Sequence, residues 1–336
     1  MIANFCSVSD VNCVHQAISM NESLKESEMN HKLYYLCVDE ETYDILTSLD
    51  DDTIVPISLN ELIKTNETLQ QLKSVDPSYE ATAVGGEDRG KDLQFIYSLS
   101  TFIINYCLRE LKLDHVIYID ADIYFFEDFS VVYDDVGGKS IGVVEHRIPT
   151  KIPPGRFNVG IVYFKNDEAG LDASDFWLWC MATPNNEFAS EYGDYGDQKY
   201  LELVYEKYKN DAAIIGDTCG HLAPWNLRFH DYDLDEKKIV WEGNKQDLVY
   251  WHFSSFVTNF DWDGDNDTYY GIKSKEFKKN LIDLDFTISS GHYDFSSRFN
   301  EPMDNLVRYV DQCIEGSHTI GSSYITWPWL APEFRD

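Results

Sequence analysis

Val116-Ile117-Tyr118-Ile119-Asp120-Ala121-Asp122-Ile123-Tyr124-Phe125-Phe126 is the stretch on which the fold turns. An apolar run ends abruptly in two carboxylates separated by Ala121, and aromatic residues follow. His115–Ile119 therefore reads as a buried strand. Residues i and i+2 of an extended backbone point the same way, so Asp120 and Asp122 are expected to converge at the strand's carboxyl end. In open α/β sheets that edge is where ligands bind. Two carboxylates held together repel each other, and a hard divalent cation such as Mg²⁺ or Mn²⁺ offsets the repulsion best. The plainer alternative is a surface turn with two solvated aspartates. The apolarity of the strand and the aromatics behind it weigh against that.

Upstream of this stretch, strand and helix signals alternate. Ile2–Val8 is a short apolar run. Asp10 is placed to cap a helix over about 11–26, whose apolar positions are Val11, Val14, Ala17, Ile18 and Leu24. Lys32–Val38 reads as a strand, Glu40–Leu49 as a helix, Thr53–Leu59 as a third strand and Asn60–Leu72 as one more helix. This β-α-β-α-β rhythm predicts a parallel sheet with crossover helices. Residues 73–91 read as a loop, because Asp76-Pro77 and Gly85-Gly86-Glu87-Asp88-Arg89-Gly90 are breaker-rich. Asp92–Leu113 reads as a long helix.

Downstream, Ser140–Glu145, Phe157–Phe164, Ala212–Ile215 and Leu248–His252 have strand patterns. Asp172–Met181 and Gln198–Tyr208 look helical. Residues 231–236 and 261–267 read as acidic loops, and a short helix is expected near Met303–Ile314. The expectation is one α/β domain over 1–260, with 261–336 as an extension packed on it.

Composition narrows the partners. Lys plus Arg number 27 against 59 Asp plus Glu, a formal charge of −32. Nucleic acids and anionic membranes are therefore poor partners, since both are bound through basic residues. Disorder is also excluded, because 43% of the residues are hydrophobic and 15% aromatic, ample for a core. The first residues show no basic-then-apolar leader pattern, and no apolar run approaches the roughly 18 residues of a membrane span. The seven cysteines are scattered, with no Cys-x-x-Cys pair and no zinc spacing. Several lie in apolar runs, so they read as reduced core residues of a cytoplasmic protein.

Four further constellations stand beside the paired aspartates. In Phe157-Asn158-Val159-Gly160, Gly160 leaves room for a ligand or a backbone to approach closely. In Gly196-Asp197-Gln198-Lys199-Tyr200-Leu201, Asp197 is either a helix cap or, with Gln198, part of a polar pocket. Leu222-Ala223-Pro224-Trp225-Asn226 is the third. In Tyr250-Trp251-His252-Phe253, His252 follows a short strand as Asp120 does. It can add an imidazole to the two carboxylates, which favours Mn²⁺ over Mg²⁺. Residues 261–267 do not fit a calcium loop, because Gly264 is fourth rather than sixth and Ile272 stands where the twelfth-position Glu belongs. No dinucleotide fingerprint, P-loop, nucleophile elbow or His-Glu-x-x-His motif is present.

These segments, in this order, resemble the GT-A nucleotide-diphospho-sugar transferases, in particular the retaining glycosyltransferase family 8 type (glycogenin-like and lipopolysaccharide galactosyltransferase-like). The likeness is greatest to an uncharacterised bacterial subgroup. It includes Phe5-Cys6-Ser7 and Leu33-Tyr34-Tyr35-Leu36-Cys37-Val38-Asp39, and runs from Asn4 to about Phe256. The resemblance implies a Rossmann-like GT-A fold and a hexosyltransferase-like activity. That activity moves a sugar from a nucleotide-diphosphate donor, with uridine the family's usual base, to a hydroxyl of a glycan or other acceptor.

It also implies that Asp120, Asp122 and His252 hold Mn²⁺ or Mg²⁺, with Ala121 between the carboxylates beside the donor. Phe5, Cys6, Ser7 and Asp10 match the nucleotide loop, and Asp39 the base or ribose contact. Asn158, Asp197 and Gln198 match positions around the transferred sugar. One departure stands out: the family often has Gly and then Lys after the metal-binding His, and this chain has Ser255 and Val257. Lys91, Arg89 and Arg156 are the candidate replacements for the missing charge. Two readings compete with catalysis of transfer: a non-catalytic nucleotide-sugar or carbohydrate binder on the same fold, and a metal-dependent nucleotide-sugar phosphohydrolase.

Overall fold

The structure is a computed structural model that describes residues 2–253 apart from 12, 149–150, 153, 184, 224, 227–228 and 234–235. Its strands are β1 (Ala3–Ser9), β2 (His31–Cys37), β3 (Ile54–Ser58), β4 (His115–Ile119), β5 (Ile123–Phe125), β6 (Ile141–Glu145), β7 (Phe157–Lys165), β8 (Ala212–Ile215), β9 (Gly220–Leu222), β10 (Asp231–Asp233), β11 (Lys238–Trp241) and β12 (Asn244–His252). Its helices are α1 (Val14–Glu26), α2 (Glu40–Ser48), α3 (Leu59–Leu62), α4 (Glu67–Lys73), α5 (Tyr79–Arg109), α6 (Val132–Val136), α7 (Glu168–Ala182), α8 (Ala189–Tyr192) and α9 (Gly196–Lys207).

Seven strands form the main sheet in the order β3-β2-β1-β4-β7-β6-β8. β7 runs against both of its neighbours, and the other pairings are parallel. Parallel strands need crossovers, which the helices between them supply. Side chains alternate across each strand. Ala3 and Phe5 of β1 and Ile117 and Ile119 of β4 therefore join one core, with α1, α2 and α6. Cys6, Val116 and Tyr118 join the other, with α3, α4, α5, α7 and α9. The expected mixed, mainly parallel sheet flanked by helices is borne out.

A second sheet contains β10-β11-β12-β5, with β9 paired alongside β12. β12 is antiparallel to β11 and β5 and parallel to β9. A third cluster, including Leu222, Ile239, Leu248 and Trp251, lies under this sheet. β9 crosses β12 closely at Gly220, opposite Leu248. A Cβ at Gly220 would collide with the Asp247 carbonyl oxygen and press on the Gln246 Cβ at 3.1 Å. Gly220→Ala is therefore expected to cost about 3 kcal/mol, lowering the melting midpoint by roughly 4 °C in a chain of this size. Calorimetric melting checks it, and an unchanged midpoint would contradict this packing.

Several sequence expectations need correction. Residues 79–91 are helical, forming the start of α5. Once the buried apolar stretch at 95–108 has nucleated a helix, adding turns to it costs little. Asn60–Leu72 is two short helices rather than one. Asn66 caps the second through its side chain, which accepts from the Leu69 amide at 3.0 Å. Asp10 is not at the cap position of α1, which Cys13 occupies without a side-chain capping bond. Residues 231–233 form β10 rather than a loop. The expected helix near 303–314, the acidic loop at 261–267 and the extension over 261–336 lie outside the described residues. Among the described residues no helix is long and apolar enough to cross a membrane. The described cysteines, 6, 13, 37, 107, 180 and 219, carry thiols rather than disulfides.

Candidate functional site

The main sheet and the second sheet meet at residues 120–122. The backbone turns there, with the Ile123 amide bonded to the Asp120 carbonyl at 3.3 Å. Asp120 and Asp122 are thus brought together by a turn, not by the strand pleat that their spacing suggested. The Asp120 amide donates to the Gly160 carbonyl of β7 at 2.9 Å, tying the turn to the main sheet. The Phe253 amide donates to the Asp122 carbonyl at 2.8 Å, tying it to the second. β12 pairs with β5 just after the turn, His252 opposite Ile123. That register delivers the imidazole to the carboxylates.

The ligand atoms of Asp120, Asp122 and His252 all lie within 4.8 Å of one another. His252 Nε2 is 3.0 Å from Asp122 Oδ1 and 3.6 Å from Asp120 Oδ2. Burial works to lower the His252 pKa, but the Asp122 carboxylate and then Asp120 outweigh it and hold the group above its ordinary value. Burial raises the Asp120 carboxyl, and Asp122 adds to this against the pull of His252. Two oxygens and one imidazole nitrogen at this spacing fit a divalent ion of the Mn²⁺ or Mg²⁺ kind, and the nitrogen tilts the set towards Mn²⁺. The Trp225 ring stands edge-on to His252, with centroids 5.1 Å apart, and edge-on to His146 at 5.5 Å.

Gly160 makes the site possible. A Cβ there would lie 2.5 Å from His252 Nδ1 and 2.6 Å from Asn158 Oδ1. The close approach expected at this glycine is made by the His252 ring. Asn158 Oδ1 accepts from the Gly160 amide at 2.8 Å, and its Nδ2 donates to Gln198 Oε1 at 3.0 Å. Asn158 and Gln198 are therefore joined beside the three ligands. Asp197 is not a helix cap: it lies inside the first turn of α9, is 9% exposed, and accepts from the Ser100 hydroxyl.

The residues expected to form a nucleotide loop divide. Phe5 and Cys6 are core side chains with no exposure, so they can offer a nucleotide only their backbone. Ser7 is also buried, and among the described residues its hydroxyl has no hydrogen-bond partner. Asp10 is half-buried at the carboxyl end of β1. Asp39 is committed locally. One oxygen accepts from the Thr42 amide and hydroxyl, each at 2.8 Å, and the other from the Val11 amide at 2.9 Å. It caps α2 and clamps the β1 loop. Ala121 lies buried in the turn. Of the candidate cations, Lys91 pairs with Asp76 and Arg156 with Glu145, while Arg89 lies outside the described side chains. Sequence reasoning passed over Tyr118, although its place two residues before Asp120 puts it on the same face.

Several further imidazoles are buried: His221 on β9, His230 just before β10 and His146 just after β6. Burial lowers His146 and His230 to about 4, and lowers His221 well below its ordinary value. Unfolded imidazoles titrate near 6.5. The native state therefore binds fewer protons than the unfolded chain below that pH. Stability is full above about 6.5 and is lost as pH falls towards 4. Each of His146 and His230 contributes about 3 kcal/mol to that loss. His252, raised instead, works in the opposite sense but is outnumbered. Urea midpoints are expected to fall steadily from pH 7 to pH 5, and a flat profile would contradict it.

No protein-family model matches the chain. The uncharacterised Bacillus subtilis (strain 168) protein YfnF is 27% identical over 275 residues, 76% of this chain and 82% of YfnF. Mouse xyloside xylosyltransferase 1 is similar in structure, with a TM-score of 0.49, 14% identity, and coverage of 76% of this chain and 98% of that one. The galactosyltransferase LgtC, solved with donor and acceptor sugar analogues, has a TM-score of 0.48 and 13% identity, covering 78% of this chain and 90% of its own. Both solved structures are glycosyltransferases.

Proposed function

We propose that the chain is a divalent-metal-dependent glycosyltransferase acting on a nucleotide-diphosphate sugar, with UDP-sugars first among donors, and a hydroxyl acceptor. The observation that carries this reading is the convergence of Asp120, Asp122 and His252, from two separate sequence segments, at the carboxyl edge of an α/β sheet. Residues 1–260 would form the donor-binding and catalytic unit. Asp120, Asp122 and His252 would hold a divalent ion, whose charge would offset that of a departing diphosphate.

The chain's own residues do the rest. Asn158 fixes the Gln198 amide, which leaves the Gln198 nitrogen to donate to the transferred sugar. Asp197, buried and engaged by Ser100, shapes that pocket and is poorly placed to collect a proton as a free base. This favours a retaining outcome, in which the leaving phosphate itself takes the acceptor proton on the same face. With Lys91 and Arg156 both paired to carboxylates, donor binding leans heavily on the metal.

Incubating the protein with a panel of nucleotide sugars, with and without Mn²⁺, tests the reading. Slow, Mn²⁺-dependent donor cleavage that an added acceptor accelerates is the expected result. Donor binding without turnover would replace it with the non-catalytic reading, and fast acceptor-independent cleavage with a phosphohydrolase. Donor affinity indifferent to chelation would overturn the metal role.

A further inference from the structure

Tyr118 is the last-but-one residue of β4, a central strand held between β1 and β7, where it pairs with Cys6 and with Val162. It is 4% exposed, and its ring is packed in the core on the α5 and α9 side of the sheet. The backbone and ring are therefore fixed. Its hydroxyl donates to Asp120 Oδ1 at 2.8 Å. The other oxygen of the same carboxylate, Oδ2, is the one that faces His252, at 3.6 Å. Hydrogen bonds of this kind, one step behind the ligands, set ligand orientation in metal sites.

We propose that Tyr118 is a positioning and metal-selecting residue, whose hydroxyl holds Asp120 Oδ1 so that Asp120 serves as a one-oxygen ligand through Oδ2. This inference rests on the metal reading above. Its consequence is selectivity. Ca²⁺ takes six to eight oxygens and is well served by carboxylates that bind through both oxygens, whereas Mg²⁺ and ions of similar demand prefer near-octahedral sets of single-oxygen ligands. With Oδ1 tied to a rigid phenol, Asp120 is a poor chelate for the larger ion. The imidazole of His252 adds to the bias towards Mn²⁺.

The test is direct metal titration by calorimetry, with MnCl₂ and with CaCl₂, on the full chain without donor or acceptor. Three proteins are compared: the wild type, Tyr118→Phe, and Tyr124→Phe. The last loses a different buried tyrosine hydroxyl, one that donates to Glu26 at 3.1 Å. Tyr118→Phe keeps the ring, and melting in EDTA verifies that it is folded. The wild type is expected to prefer Mn²⁺ to Ca²⁺. Tyr118→Phe is expected to weaken Mn²⁺ binding by about 10- to 100-fold and to shrink the Mn²⁺-to-Ca²⁺ preference, while Tyr124→Phe matches the wild type. If the wild type binds Mn²⁺ and Tyr118→Phe binds each ion as tightly as the wild type does, this inference fails and the metal site stands. If both Phe variants weaken alike, the effect is general loosening and the inference also fails. If the wild type does not bind Mn²⁺, the metal reading falls with it.

Discussion

Asp122→Ala is expected to lower Mn²⁺-dependent turnover by about a thousandfold or more while leaving the metal-free fold intact. The side chain makes its close contact with His252, at 3.0 Å, and among the described residues it carries none of the hydrogen bonds that shape the turn. Those run through backbone atoms: the Asp120 amide to Gly160, and the Phe253 amide to the Asp122 carbonyl. Removing the carboxylate therefore removes one ligand of three and relieves a repulsion with Asp120. A bound dication contributes several kcal/mol to stabilising a departing diphosphate, and each 1.4 kcal/mol is tenfold in rate. Steady-state kinetics with saturating Mn²⁺, together with melting in EDTA, separates the two effects. Unchanged activity would remove Asp122 from the metal set.

Gly160→Ala should have an effect nearly as large without deleting any ligand. The added methyl would need the space of the His252 ring and of Asn158 Oδ1, at 2.5 and 2.6 Å. Neither neighbour can yield cheaply. His252 is 6% exposed and set edge-on against Trp225, and Asn158 is bonded to both Gly160 and Gln198. The ring must shift by about 1 Å to restore contact distance, and displacements of that size cost roughly 100-fold in rate. Both Mn²⁺ affinity and turnover should fall. A variant that loses neither would mean that the imidazole is free to swing aside, contrary to its packing.

The parts of this structure that the sequence made legible are those decided locally. β1, β2, β4, β6 and β7 begin and end within about two residues of their apolar runs, because in a central sheet burial on both faces leaves the pattern no other solution. Gly160 and His252 were also visible, each from its neighbours. What escaped was set by distant partners. Asp197 stays open between a cap and a pocket residue until Ser100, 97 residues away, is found beside it. The bonds by which Asp39 caps α2 and holds Val11 were likewise not legible, because Val11 lies 28 residues away. The Gly85-Gly86 segment reads as a loop because composition is local, whereas helix propagation from the buried half of α5 is not. The second sheet was missed because β10 and β11 are short and half-exposed, held by β12 rather than by their own sequence.

The hydrogen bonds that fasten residues 120–122 to both sheets also set the order in which the centre can come into being. His252 follows Asp122 by 130 positions in the chain. At synthesis rates of about 5–20 residues per second, the ribosome needs on the order of 6–26 s to bridge that gap. During that interval the emerging polypeptide carries two adjacent carboxylates but neither the imidazole nor the strand that pairs with β5. If the triad holds a metal as proposed, its capture would follow assembly of both sheets, and a loaded centre would itself report that translation has passed β12.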